Sequence, residues 1–196
     1  MLDKLLEFDR WLFLLINGAH TSWLDSVMVA FSAHYTWIPI YLLLLFLFFR
    51  NHSLKRALLA IGAVLLCFMH TDRTSVLLFK DVFCRLRPTY EPTLEGMVHL
   101  LERRGGLYGF VSSHAANLFG LSTLSCLIIR KKWLNWTLFT LISLVGYSRI
   151  YVGKHYPFDV LCGALWGMLI GWLIFKLYTY LCSSFLTTKP PAPPGT

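Results

Sequence analysis

Long apolar runs with almost no charged side chains dominate this sequence. The first, 26–49, contains no Asp, Glu, Lys or Arg, and four further runs cover 58–79, 113–129, 133–147 and 160–181. A helix that crosses the hydrocarbon core of a bilayer needs about 20 mostly apolar residues. We therefore predict an all-α, integral-membrane helical bundle with five or six transmembrane helices.

The composition agrees with a chain that lipid surrounds. Hydrophobic residues make up 56% and charged residues 14%, and the mean hydropathy is +0.58, whereas a soluble domain carries about 25% charge. The net charge of +8 arises largely from basic residues at the ends of apolar runs, which is typical of membrane proteins. We expect a bilayer as partner and no nucleic acid, and the sequence leaves the oligomeric state open.

The two ends of the chain differ from the apolar centre. Apolar residues recur at helical spacing near the start, at Leu5, Phe8, Leu12 and Leu15, which predicts an amphipathic helix at the membrane interface. Segments 11–19 and 21–31 together are the candidate for a sixth span. We expect 1–186 to form one membrane-embedded domain and the proline-rich segment 187–196 to be a disordered tail.

Cations in short loops predict the orientation of the bundle. Basic residues lie between the first and second runs and between the third and fourth, namely Arg50, Lys55, Arg56, Arg130, Lys131 and Lys132. Alternation of the spans puts these loops in the cytoplasm and segments 80–112 and 148–159 on the opposite face. In a bacterium, this is the periplasmic or outer face of the plasma membrane.

Three polar clusters fall at the ends of the spans, all on that opposite face. The first runs from Lys80 to Arg87 and Pro88, the second is Val-Ser-Ser-His at 111–114, and the third is 148–159, which ends at Asp159. The pattern resembles the type 2 phosphatidic acid phosphatase superfamily, whose signature reads KxxxxxxRP, PSGH and SRxxxxxHxxxD. The first and third blocks match at every fixed position. In the second, Val111 replaces proline and Ser113 replaces glycine.

The same residues make chemical sense for phosphate transfer. Lys80, Arg87 and Arg149 can bind phosphate oxygens. Ser112 and Ser113 can add their hydroxyls and the free N–H groups of a helix start. Pro88 is expected to end the helix after Arg87, and Arg85 is a weaker candidate for a second phosphate.

We expect the two histidines and the aspartate of these blocks to take part in catalysis. Asp159 can orient the ring of His155 and leave one nitrogen free to attack phosphorus. The resemblance implies a phosphohistidine at His155, with His114 as the general acid. No metal or other cofactor is required by this chemistry. The expected substrate is a lipid phosphate or diphosphate: undecaprenyl pyrophosphate, a lipid A phosphate or phosphatidylglycerol phosphate.

Other interpretations of these residues remain open. A vanadate-dependent haloperoxidase uses the same cradle in this superfamily, and a non-catalytic phosphate-lipid binder or transporter could also keep it. Asp72 and Arg73 interrupt an apolar run, so they are either a contact to a neighbouring helix or support for the cradle. The segment Tyr90 to Gly109 is expected to carry a short helix over 93–102 and to act as a lid or headgroup reader, while His99 looks incidental.

Overall fold

Helices form the regular secondary structure of residues 1–185 of this protein. The computed structural model describes residues 1–185, except for the side chain of His34, and no β-strand occurs within that range. The helices are α1 (Leu2–Gly18), α2 (Ser22–Ser32), α3 (Ile38–Asn51), α4 (Leu54–Phe83), α5 (Ser113–Ile129), α6 (Lys132–Tyr151) and α7 (Pro157–Phe185). The all-α prediction is confirmed. The tail predicted at 187–196 lies outside the described residues.

Several helices are suited to a membrane by length and composition. Among the described residues, α4 and α7 are each long and apolar enough to cross one. The α2–α3 pair passes the same test together and bends by 70°, at the break that His34, Tyr35 and Pro39 predict. Helix α5 is apolar but has only 17 residues. Two or three spans are therefore supported, and a bundle of five or six stays a prediction.

Two predictions for residues 80–112 were wrong: the end of the helix at Pro88 and a short helix over 93–102. Helix α4 ends at Phe83, where Cys84 has a φ of 47°, so Arg87 lies in the following loop and Pro88 does not end the helix. The predicted helix over 93–102 is absent, and loop 84–112 contains only 3₁₀ turns at Pro88–Tyr90 and Pro92–Leu94. Contacts to distant backbone, such as the bond from the Leu101 N–H to the Val152 carbonyl at 3.5 Å, override its local helix preference.

Helices α5 and α7 pack at very short range, and this contact sets the geometry of the site. A Cβ atom at Gly167 would lie 2.1 Å from the Ala116 carbonyl oxygen, and one at Gly163 would lie 2.6 Å from that of Ser112. Glycine at 163, 167 and 171 thus forms a stripe along which the two backbones touch. The stripe fixes the start of α5 beside the start of α7.

Helix α1 packs against this bundle with an unusual inner face. Its buried residues are Asp9, Phe13 and Asn17, while Leu5 and Leu15 are exposed. Asp9 and Asn17 can face inward because each forms hydrogen bonds with groups in the interior, as described below. The outward apolar residues fit a lipid environment, although the interfacial position of α1 stays a prediction.

Candidate active site

His155 lies in the short connection between α6 and α7 and is almost fully buried, at 2% exposure. The backbone N–H groups of Lys154 and His155 both donate to the Arg149 carbonyl, at 3.1 and 3.2 Å. The chain therefore leaves α6 in a tight turn that points the imidazole into the protein. This turn joins the two halves of the third sequence block.

The ring nitrogens of His155 have different neighbours, and these define its tautomer. Arg87 Nη1 lies 3.1 Å from His155 Nε2. A guanidinium can only donate, so Nε2 must accept and the ring proton belongs on Nδ1. Nδ1 lies 3.5 Å from Asp159 Oδ2, and the nearby Gly109 carbonyl favours a proton on the ring. The lone pair of Nε2 consequently points toward the cationic side of the site.

Positive charge and burial together keep His155 neutral. The pKa of His155 lies well below its ordinary value, first because burial disfavours the charged ring and then because Arg87, Arg149 and Lys80 repel a further cation. All three cations predicted for the phosphate cradle therefore act on this one imidazole. The structure brings them together around His155, as the sequence blocks predict.

Asp159 is fully buried one turn into α7 and anchors the local backbone. Its Oδ2 accepts the Tyr156 N–H at 3.0 Å, and its backbone carbonyl accepts the Ser112 N–H at 2.8 Å. A Cβ atom at Gly109 would lie 3.0 Å from Oδ2, so a side chain there would have to displace the carboxylate or the loop. Asp159 thus links the second and third blocks directly.

Arg85 holds Asp159 from the other side, and this corrects its assignment to a second phosphate. Its Nη1 lies 2.9 Å from Asp159 Oδ1, and its Nη2 lies 2.6 Å from Oδ2 of Asp9 in α1. The guanidinium also stacks 4.2 Å from the centre of the Tyr156 ring. Both nitrogens that could grip a phosphate are committed to carboxylates, so Arg85 is a structural bridge.

Ser113 takes part in the site despite departing from the family glycine. It is the first residue of α5. Among the described residues other than glycine, positive φ angles occur at Cys84 and Arg130 and not at Ser113. The serine therefore meets no backbone strain. Its Oγ accepts from Lys80 Nζ at 2.7 Å and lies 2.7 Å from Ser75 Oγ, so its hydroxyl positions the lysine.

Ser112 caps α5, as its place before the helix suggests. Its Oγ accepts the Ala115 N–H at 3.4 Å, which satisfies one of the unpaired donors of the first turn. The N–H group of Ser113, at the very start of the turn, has no intrahelical partner, and a helix start of this kind attracts anions. The predicted anion site at the beginning of α5 thus has the expected backbone geometry.

Arg149 lies in the last turn of α6, with partners that the sequence blocks do not reveal. Its Nη1 contacts Ser32 Oγ at the end of α2 and lies 3.6 Å from Glu102 Oε2. The same Glu102 oxygen is 3.2 Å from Lys154 Nζ. Burial raises the pKa of Glu102, but the Ser32 hydrogen bond and the charges of Arg149 and Lys154 outweigh this and lower it overall.

His114 follows Ser113 and faces a cavity of about 170 Å³ beneath the bend between α2 and α3. The lining combines polar and apolar side chains, among them Asp72, Trp37, Tyr41 and Phe68. Asp72 contacts α5, because its Oδ1 accepts from Asn117 Nδ2 at 3.4 Å. Of the two interpretations of Asp72, the geometry therefore supports a contact to a neighbouring helix.

Two buried arginines, the half-buried Lys80 and the start of α5 thus lie near a neutral imidazole. The sequence matches the PAP2 superfamily over residues 56–182, and the chain belongs to this superfamily, which confirms the resemblance of its three blocks. The described geometry places those blocks around His155 and agrees with this membership.

Individual relatives extend the similarity over nearly the whole chain. It is 37% identical over 195 residues to a lipid A 4′-phosphatase of Porphyromonas gingivalis, covering 99% of this chain and 83% of the relative. It is 33% identical over 181 residues to an undecaprenyl-diphosphatase of Sulfolobus acidocaldarius, covering 89% and 81%. The fold resembles that of a transmembrane PAP2-type phosphatidylglycerolphosphate phosphatase of Bacillus subtilis, with a TM-score of 0.71, 22% identity and coverage of 93% and 89%.

Proposed function

We propose that this protein is an integral-membrane phosphatase that hydrolyses a lipid phosphate or diphosphate through a phosphohistidine at His155. The observation that carries the proposal is the buried, neutral imidazole whose Nε2 accepts from Arg87 at 3.1 Å. An unprotonated nitrogen next to an arginine is both a nucleophile and a neighbour of bound phosphate. Membership of the PAP2 superfamily supports the same reaction class.

In the first step, His155 Nε2 attacks phosphorus and the bond from phosphorus to the lipid oxygen breaks. Lys80, Arg87 and Arg149 bind the non-bridging oxygens, together with Ser112, Ser113 and the start of α5. Charge on these oxygens in the transition state is stabilised by fixed donors in a buried site. The ring proton stays on Nδ1, where the Asp159 carboxylate at 3.5 Å stabilises the positive phosphoimidazole.

His114 completes the reaction by moving the proton. It donates a proton to the departing lipid oxygen in the first step. In the second step it accepts one from a water molecule, which attacks the phosphohistidine and releases inorganic phosphate. His155 returns to its neutral form and no metal ion takes part in either step. The cavity that His114 faces offers a place for the part of the lipid next to the phosphate.

The chemical class of the lipid is best supported by the long similarities. A lipid A 4′-phosphatase relative matches over 99% of this chain, which favours a phosphate monoester on an acylated sugar. Undecaprenyl diphosphate is the second candidate, because an undecaprenyl-diphosphatase matches over 89%. Phosphatidylglycerol phosphate is the third candidate.

The bundle would cross the membrane five or six times, with the active site on the periplasmic or outer face. The cationic short loops support this orientation by the positive-inside rule. A bacterial plasma membrane is the expected location. A site at the ends of the helices on that face meets lipid headgroups that have already crossed the bilayer.

Phosphate release from purified lipids tests the proposal. The full chain in detergent is incubated with lipid A, undecaprenyl diphosphate or phosphatidylglycerol phosphate, and inorganic phosphate is measured with and without EDTA. We expect release that EDTA does not reduce and that is fastest with one of the three lipids. His155→Ala should lower the rate by about 10³-fold or more while the melting temperature shows that the protein is folded.

The same assay separates the competing activities. A non-catalytic lipid binder would bind the lipids but release no phosphate, and His155→Ala would then change nothing. A haloperoxidase would need vanadate and peroxide to halogenate an added phenol. Either result, or full activity of His155→Ala, would contradict the proposal.

A further inference from the structure

Two histidines and an aspartate meet on the same face as the active site but outside it. His20 lies in the connection from α1 to α2, Asp25 in the first turn of α2 and His99 in loop 84–112. His99 Nε2 is 3.0 Å from Asp25 Oδ2, and the His20 and His99 rings stack with centres 3.8 Å apart. One ligand atom from each residue lies within 4.8 Å of the others.

Hydrogen bonds to buried groups hold two of these three residues in place. Tyr151 donates its hydroxyl to Asp25 Oδ1 at 2.7 Å, which leaves Oδ2 facing His99. The backbone of His99 is clamped by Asn17, whose Oδ1 accepts the His99 N–H and whose Nδ2 donates to the His99 carbonyl, each at 2.8 Å. Side chains that ligate a metal are commonly oriented by such outer contacts.

We propose that His20, Asp25 and His99 form a binding site for a divalent transition-metal cation, with Zn²⁺ as the best match. Neutral imidazole and carboxylate suit Zn²⁺, which accepts three protein ligands and a water molecule in a tetrahedral arrangement. The stacked rings must tilt for their lone pairs to converge. His20 is exposed, so its side chain can rotate without displacing a packed neighbour.

The site would tie the α1–α2 connection to loop 84–112, which also carries Arg87. Glu102 follows His99 by three residues and contacts Arg149 and Lys154. Tyr151, which orients Asp25, belongs to the same helix end as Arg149. A bound cation therefore stabilises the loop from outside the pocket and takes no part in the reaction. This inference stands apart from the proposed function and does not require that the lipid be known.

Metal binding is measured on the full chain, purified in detergent without a histidine tag and with its cysteines reduced. Titration calorimetry with Zn²⁺ should show one saturable site per chain, and Zn²⁺ should raise the melting temperature. Co²⁺ serves as the spectroscopic probe, because nitrogen and oxygen ligands give visible bands without the intense near-ultraviolet band of cysteine sulfur. A sulfur band with the same stoichiometry would overturn the assignment.

Variants locate the site within the chain. His20→Ala and His99→Ala should each abolish the saturable binding and the thermal shift, and Tyr151→Phe should weaken Zn²⁺ affinity by about 10-fold. His70→Ala removes an exposed histidine of α4 and should change neither the saturable Zn²⁺ binding nor the thermal shift. His20→Ala disturbs no hydrogen bond described here, so it decides the matter if His99→Ala does not fold.

The activity assay keeps this inference separate from the proposed mechanism. If EDTA lowers phosphate release in the wild type but not in His20→Ala, the loss reflects this outer site and the metal-independent reaction stands. If EDTA abolishes release in both proteins, the metal-independent mechanism fails while the site is judged by binding alone. Unchanged Zn²⁺ affinity in His20→Ala and His99→Ala would overturn the site.

Discussion

Arg85 joins Asp159, which lies beside the candidate nucleophile, to Asp9 in the first helix. One guanidinium nitrogen lies 2.9 Å from Asp159 Oδ1 and the other 2.6 Å from Asp9 Oδ2, and both aspartate side chains are fully buried. Helix α1 thereby gains a direct link to the candidate catalytic residues. The Phe158 N–H strengthens that link by donating to Asp9 Oδ1 at 2.9 Å.

Removing Arg85 should destabilise the protein and impair catalysis together. Arg85→Ala leaves two buried carboxylates without their cation, which costs about 3–5 kcal/mol when one partner of a buried pair is lost. Arg85→Lys should be intermediate, because an ammonium cannot fork between two carboxylates. Melting temperature and kcat are measured in parallel, with Arg103→Ala, an exposed arginine of the same loop, as the matched control. Wild-type stability of Arg85→Ala would contradict the bridge.

The role of His114 can be tested by changing the leaving group. His114→Ala should strongly slow release from a lipid phosphate, whose alkoxide must be protonated as it departs. The same variant should lose far less activity with p-nitrophenyl phosphate in the first step, because that phenolate leaves without a proton. The burst of p-nitrophenol measures this step alone. Equal losses with both substrates would argue that His114 acts in binding rather than as an acid.

Protonation of His155 should lower the activity only at a pH well below neutrality. Its pKa in the folded protein lies well below the ordinary 6.5, so the neutral ring that we propose as the nucleophile persists as the pH falls past 6.5. Lys80→Met removes one of the cations that depress this pKa, and the acid limb of kcat/KM should move to higher pH. A limb that does not move, measured on a soluble ester, would show that Lys80 does not act on His155.

The same pKa predicts how stability depends on pH. Between 6.5 and the lower folded pKa, the unfolded chain binds a proton at His155 and the folded chain does not. Stability is therefore fully present above 6.5 and declines as the pH falls through this window, by at most about 1.4 kcal/mol per pH unit. Denaturation of His155→Gln should show a shallower dependence over that range. A steeper one would contradict the assignment of a neutral, buried ring.

Ser113 should contribute to substrate affinity through Lys80 rather than to folding. Ser113→Ala removes the hydroxyl that lies 2.7 Å from Lys80 Nζ, and we expect KM for the lipid to rise several-fold with a nearly unchanged melting temperature. Ser113→Gly restores the family residue and should remain active, because no side chain is required there for the helix to start. An inactive glycine variant would show that the lysine depends fully on the serine.

Native Cys84 offers a test of orientation without new cysteines. It is exposed in the loop that carries Arg85 and Arg87, whereas Cys67 and Cys126 are buried and Cys162 and Cys182 are half-buried, so Cys162→Ser/Cys182→Ser is the background for the test. A membrane-impermeant maleimide should label the protein in bacterial cells whose outer envelope is permeable and whose plasma membrane is intact. Cys84→Ser should abolish this labelling. Labelling only after lysis would place the active site on the cytoplasmic face.

The spacing of residues within each sequence block correctly predicted which side chains lie near one another. The blocks ending in Arg87 and Asp159 predicted residues that do surround His155, and the third apolar run coincides with α5. The bridge through Arg85 to Asp9, and the approach of Ser32 and Glu102 to Arg149, were not predictable, since each joins segments far apart in the chain. Glu102 also shows why the expected helix was wrong: its loop is shaped by contacts with α6 rather than by local propensity.

The glycine stripe of α7 has a consequence for how such an enzyme can diversify. Because Gly163 and Gly167 let the two backbones meet directly, no side chain intervenes between the start of α5, which carries His114, and the start of α7, which follows His155. Substitutions on the outward surfaces of these helices can accumulate without altering that separation. The relative position of the two helix starts therefore does not depend on the lipid-facing side chains of α5 and α7.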